Sequence, residues 1–320
     1  EVFAPASGSG RGSAARAPKF LANAAMGSRK DARDAVVAAR KAQPGWAGAT
    51  AYNRGQVLYR VAEVMESRRA QLVQDVRDSE GLSPAAAEAT VSAAIDRWVW
   101  YAGWADKFTQ VLGGLNPVAG PYFDISAPEA TGVVAVLAPQ RSSLLGLVSV
   151  VAPVIVSGNT AVVLTSEDRP LPAITLAECL TTSDAPGGVV NLATGRTGEM
   201  APWLASHRDV NAIDLTGAAG AEGVEWGALE AAAAENLKRV LRPGGAGAEA
   251  VEPDFSATPA LSRLPAFLET KTVWPPTARS PRSTFSPDAR TFSSAPLHLW
   301  CQPETSSTGR ESSERGLVLD

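Results

Sequence analysis

The chain has 320 residues, 33.2 kDa and 45% apolar content, enough to bury the core of one large or two ordinary domains. A formal net charge of −4 and a pI near 5.4, with both signs of charge spread along the chain, provide neither the basic stripe that nucleic acid requires nor a polybasic membrane anchor. Two cysteines, Cys179 and Cys301, exclude a disulfide framework and have no zinc-ligand spacing, so a reducing, cytoplasmic setting is expected.

Residues 1–24 are rich in Ser, Gly and Ala, lack the apolar segment of a secretory signal, and are expected to be flexible. The absence of an initiator Met points to a fragment of something longer. Ser28 with Asp31 resembles a capping box, and Ala32, Val36, Ala39 and Ala42 follow at helical spacing, predicting a helix that ends at Pro44-Gly45. A second helix is predicted from about Tyr52 to Ser79 with Val57, Val61, Met65, Leu72 and Val76 on one stripe, stopping at Gly81. Ser83-Pro84 opens a third, carrying Ile95, Trp98, Tyr101 and Phe108 to Gly113. Its cluster Trp98, Trp100, Tyr101 and Trp104 cannot all face one core on a single helix, leaving a partner surface and intrachain packing both open.

The pattern then changes. Short β-branched runs at Gly132–Ala138, Thr160–Leu164, Val189–Ala193 and Val210–Leu215 alternate with helical stretches Ser142–Val156, Pro170–Ser183 and Thr197–His207. That alternation predicts a parallel, doubly wound sheet. The most apolar window, Leu144–Val156, is about 13 residues, short of the roughly 20 that a membrane span requires. Gly220–Glu235 reads as a further helix and Asn236–Leu241 as a last strand. From Arg242 the pattern decays into a Gly/Ala-rich break, and 275–320, rich in Ser, Thr, Pro and Arg, is expected to be a disordered tail.

Several strings occur in an order that carries a family resemblance: Tyr101-Ala102-Gly103-Trp104-Ala105-Asp106-Lys107, Pro128-Glu129-Ala130-Thr131-Gly132-Val133-Val134, Ser157-Gly158-Asn159-Thr160-Ala161-Val162-Val163-Leu164, Pro186-Gly187-Gly188-Val189-Val190-Asn191, and Ser206-His207-Arg208-Asp209-Val210 closing on Leu215-Thr216-Gly217. From about Met26 to Val240 the chain resembles the coenzyme-binding part of aldehyde dehydrogenases. The resemblance implies an α/β fold, a Rossmann-like parallel sheet with an N-terminal helical layer over 25–245. It also implies two strands that join subunits in the family, near 122–127 and at 268–274. Only 23 positions separate Gly245 from Leu268, and a catalytic domain needs on the order of 100 residues or more, so that domain is expected to be absent and 246–267 to be a linker. The arrangement is similar to the truncated second copy in two-copy family 16 aldehyde dehydrogenases. The partners it implies are a second copy of the chain and a preceding aldehyde dehydrogenase module of the same polypeptide.

Aldehyde oxidation in this family needs a thiolate nucleophile, a carboxylate base and an amide donor to the oxyanion. By resemblance, Arg141 stands where the amide donor belongs and Arg242 where the carboxylate belongs. Cys301 lacks the family's surrounding pattern, and Cys179 reads as a small buried core residue. No catalytic residue is therefore expected. For NAD(P), the family's ribose-binding Lys and Glu correspond to a string here in which Ser166 and Glu167 remain and the Lys is missing; Glu167 either meets the ribose or caps the strand end. Gly217 survives in the turn that would present a helix N-terminus to the pyrophosphate, but Ala218 replaces a Ser. Binding of NAD(P) is expected to be weak or absent. Gly195 is expected to serve turn geometry, His207 to be a solvated histidine at a helix end, and His298 lies in the tail.

Overall fold

The computed structural model describes residues 1–5, 19–242, 244 and 252–277. In chain order the elements are β1 (Val2–Phe3), β2 (Phe20–Ala22), α1 (Arg29–Gly48), α2 (Ala51–Ser67), α3 (Arg69–Glu80), α4 (Pro84–Ala102), α5 (Phe108–Leu112), β3 (Gly114–Asn116), β4 (Asp124–Ala130), β5 (Val133–Leu137), α6 (Leu145–Val156), β6 (Thr160–Leu164), α7 (Leu171–Thr181), β7 (Val190–Ala193), α8 (Thr197–Ser206), β8 (Ala212–Asp214), α9 (Trp226–Ala234), β9 (Arg239–Leu241) and β10 (Leu268–Val273). The predicted tail beyond Thr277, with Cys301 and His298, lies outside the described residues.

The parallel sheet has the order β7-β6-β5-β8-β9, every pair parallel. Alternation along β5 divides the core. Val134 and Val136 pack with α6 and α7 and, beyond them, the layer of α2, α3 and α4, whereas Val133, Ala135 and Leu137 pack with α1, α8 and α9. This is the doubly wound α/β architecture expected, both faces of the central strand being apolar because both are covered.

Three helices depart from the periodic reading. The first continues past Pro44, because Trp46 is buried and its indole N–H donates to the Ile155 carbonyl at 2.8 Å, which holds the last turn. The second breaks at Arg68 (φ −107°, ψ 15°), where the guanidinium turns to Gln71 and to Glu178 of α7, so that α3 lies along α7. The third ends at Ala102, and α5 is a separate short piece. Within the aromatic cluster Trp98 and Tyr101 are fully buried, and Trp100 packs edge-on to Tyr101 at 4.8 Å and against Trp104 at 5.8 Å. Intrachain packing thus engages all four.

A second sheet has the order β10-β4-β3, antiparallel throughout, with β10 matched to β4 from Leu268↔Ala130 to Val273↔Ile125. In the segment expected to be flexible, β1 and β2 pair and Phe3 meets Phe20 edge-on at 5.9 Å.

The expected linker also departs from the reading. β9 ends at Leu241 and β10 begins at Leu268, leaving only positions 242 to 267 between them, and the described part, 252–267, is a packed strap. Phe255, Leu264 and Phe267 enter the core on the α4 and α6 side. Arg97 of α4 donates to the carbonyls of Phe255 at 2.9 Å and Ala257 at 3.0 Å, and the Asn159 amide donates to the Phe267 carbonyl at 2.8 Å. Sequence composition missed this because the strap has three anchoring side chains at irregular spacing and no periodic stripe.

Candidate functional site

In an open parallel sheet, ligands bind beyond the carboxyl ends of the strands where the connection order reverses. Here the chain runs outward from β5 to β6 and β7, then returns to β8 and β9, so the switch lies between the ends of β5 and β8. Gln140 and Arg141 follow the end of β5, Ser166 and Glu167 the end of β6, and Gly217 the end of β8.

Gln140 organises the edge. Its side-chain amide donates to the Ala138 carbonyl at 2.8 Å, its side-chain oxygen accepts from the Glu167 backbone N–H at 2.9 Å, and its carbonyl accepts from the buried Ser166 hydroxyl at 2.9 Å. Glu167 is half-buried, and its carboxylate accepts from the backbone N–H of Thr197, first residue of α8, at 2.6 Å. A carboxylate at a helix N-terminus is well placed electrostatically, and this one is engaged within the chain.

Gly217 lies in a 3₁₀ turn, Thr216–Gly220, so close to the end of β5 that a Cβ built on it would sit 2.0 Å from the Ala138 carbonyl oxygen. The glycine is required by backbone against backbone. Ala218 is buried in the core and its N–H donates to the Leu215 carbonyl at 2.9 Å. The helix predicted from Gly220 begins only at Trp226, so the turn does not deliver a helix N-terminus to the crevice; the apolar period was read too early across the 3₁₀ turn. A cavity of about 150 Å³ lies between α8 and α9, lined by Gly198, Ala201, Pro202, Val224, Ala228 and Leu229.

The two positions expected to have lost catalytic groups are exposed. Arg141 presents its side chain to solvent, and Arg242, just past β9, pairs with Glu230 of α9 at 2.7 Å. Cys179 is fully buried in the core next to α3, and burial pushes its thiol pKa up, the opposite of what a nucleophile needs. His207 is half-buried at the end of α8, its Nδ1 accepting from the Asp209 N–H at 3.1 Å, and Gly195 has a φ of +139°. Among the described residues no group of three or more His, Cys, Asp or Glu side chains could hold a metal, and no helix is long and apolar enough to cross a membrane.

Sequence reasoning missed Asp214, Glu252 and Arg263. Asp214, wholly buried at the end of β8, accepts from the Thr216 N–H at 2.9 Å and pairs with Arg263 of the strap. Glu252, at the start of the strap, accepts from the backbone N–H groups of Gln140 and Arg141, the latter at 3.2 Å. No local signal marked the Asp214–Arg263 and Glu252–Gln140 contacts, which span 49 and 112 positions.

The fold is a doubly wound α/β domain carrying a small antiparallel sheet. The model of the aldehyde dehydrogenase family matches residues 14–263. The chain belongs to that family. It is 31% identical over 236 residues to a putative aldehyde dehydrogenase, DhaS, of Bacillus subtilis, covering 72% of this chain and 46% of that protein. It is 33% identical over 226 residues to human aldehyde dehydrogenase 1A1, covering 68% and 44%. Among solved structures it is similar to PnpE of Pseudomonas sp. WBC-3 (27% identity, TM-score 0.64, 76% and 47% covered). It is also similar to an aldehyde dehydrogenase C mutant of Pseudomonas syringae complexed with NAD+ and octanal (28%, TM-score 0.60, 68% and 43%). The chain therefore spans less than half the length of these relatives.

Proposed function

We propose that this chain is a module of the aldehyde dehydrogenase family that does not oxidise aldehydes by itself and serves assembly or protein interaction, in the manner of the truncated second copy of family 16 members. The observation that carries the reading is the connection from β9 to β10. Those 26 positions, 242 to 267, are too few for a compact catalytic domain, which needs on the order of 100 residues, and an exposed ion pair at 2.5 Å links Arg239 of β9 to Glu269 of β10. Arg141 and Arg242 at the expected catalytic positions point the same way.

The residues at the sheet end do not fit a dinucleotide. Gly217 is filled against by the Ala138 carbonyl, Ala218 is buried without a hydroxyl, the next helix starts at Trp226, and Glu167 is held by Thr197. NAD(P) binding is weak or absent on this reading.

Assembly is assigned to the antiparallel sheet, with a second copy or a preceding aldehyde dehydrogenase module as partner. Among the described residues β10 has an open edge, and the paired residues Leu115, Ile125 and Val273 form an exposed apolar row across the three strands of the sheet. A reducing, cytoplasmic setting suits a chain whose Cys179 is a buried free thiol.

The rival reading, favoured by family membership itself, is part of an NAD(P)-dependent oxidoreductase that converts aldehydes to carboxylic acids. Incubation of the purified chain with a short aliphatic aldehyde and NAD separates the two: NADH absorbance is expected to stay at background, and Cys301→Ala to leave it there. Steady NADH production that Cys301→Ala abolishes would establish the rival.

A further inference from the structure

The peptide groups of Gln140 and Arg141 at the end of β5 are fixed from behind. The Gln140 carbonyl accepts from Ser166 Oγ at 2.9 Å and the Arg141 carbonyl from the Arg169 guanidinium at 2.5 Å, while the Gln140 side chain spans Ala138 and Glu167. With both carbonyls and the side chain tied down, the two N–H groups converge in front on one carboxylate, each meeting a different oxygen of Glu252. Two preorganised amide donors on a single anion make a strong, geometrically selective site, because their dipoles need no reorganisation when the charge arrives. Gly220 completes it: a Cβ there would lie 2.7 Å from a Glu252 oxygen, so a side chain would obstruct the carboxylate.

We propose that the Gln140 and Arg141 amides form a carboxylate-binding site at the switch point of the sheet, occupied in this chain by its own Glu252, and that an external carboxylate takes the site once Glu252 is removed. The occupant belongs to the strap, which is anchored independently through Arg97 to Phe255 and Ala257, Arg263 to Asp214, and Asn159 to Phe267. Removing the Glu252 side chain therefore vacates the site without releasing the strap. While Glu252 is in place, the anion-seeking donors at the mouth of the crevice are satisfied internally.

Chemical rescue tests this. Glu252→Ala is expected to lower the melting temperature by a few degrees. Sodium acetate at about 100 mM is expected to recover at least half of that loss, with sodium chloride and acetamide at equal concentration recovering none and wild type indifferent to all three. Should Glu252→Ala melt like wild type, or should chloride or acetamide do as well as acetate, the site is refuted. If Glu252→Ala fails to fold, Glu252→Gln decides by hydrogen exchange. Faster exchange in a peptide spanning Pro139–Ser142, with the rest of the sheet unchanged, supports the assignment; unchanged exchange there overturns it.

Discussion

Arg263→Met removes the only cation paired with a fully buried carboxylate among the described residues. The Asp214 side chain has 0% exposure and that of Arg263 19%, so solvent can do little for either group. One Asp214 oxygen is satisfied by Thr216 through its N–H and hydroxyl, whereas the other is met by Arg263. Methionine keeps most of the stem and discards the donors, leaving that second oxygen buried without a partner. Breaking such a pair from one side costs about 3–5 kcal/mol, a large share of the roughly 5–15 kcal/mol that holds a domain together. At about 2–4 °C per kcal/mol for a domain of this size, the melting temperature falls by roughly 6–20 °C. The assay is urea unfolding of wild type, Arg263→Met, Asp214→Asn and the double variant. The double variant is expected to regain most of the loss, since a neutral amide can still accept from Thr216 and no longer needs the guanidinium. A cost below about 1 kcal/mol for Arg263→Met, typical of an exposed pair, would show that the strap is not docked through this bond.

Gly217→Ala is expected to destabilise by about 3 kcal/mol, because the added methyl meets the Ala138 backbone oxygen, where backbone lies against backbone; a urea midpoint equal to wild type would contradict the close approach. Burial raises the Asp75 pKa, so the folded chain holds that proton to higher pH than the unfolded chain and loses stability as pH rises through the folded pKa. Asp75→Asn keeps an acceptor for the Thr175 hydroxyl, now at 2.6 Å, and is expected to stabilise at pH 7 but not below about pH 4, near the unfolded pKa; destabilisation at pH 7 would show that burial does not penalise the Asp75 carboxylate. Replacing Ile125 and Val273 with Lys places charge on the exposed row, and sedimentation velocity is expected to shift from an assembled species to a monomer with unchanged circular dichroism. A wild-type chain that already sediments as a monomer would remove assembly through this sheet.

Periodicity and composition alone determined the doubly wound sheet. The runs at 161–164 and 133–138 are uniformly apolar because helices cover both faces, and that requirement is written into every residue of the strand. Capping signals did likewise for the starts of α1 and α4, where Ser28 with Asp31 and Ser83 with Pro84 act within one turn. The order of short strings carried the family resemblance, which the family match over residues 14–263 bears out. What the carboxyl edge of the sheet does with its hydrogen bonds was decided only by the tertiary structure. Glu252 reaches the Gln140 amide over 112 positions, Arg97 reaches Phe255 over 158, and Arg263 reaches Asp214 over 49, none of them marked by local spacing. Propensity and period act over a few residues, whereas satisfying buried donors and carboxylates is a demand of the folded interior, met by whatever segment the chain's path brings within reach. For that reason the strap read as a linker in sequence and became part of the core in space.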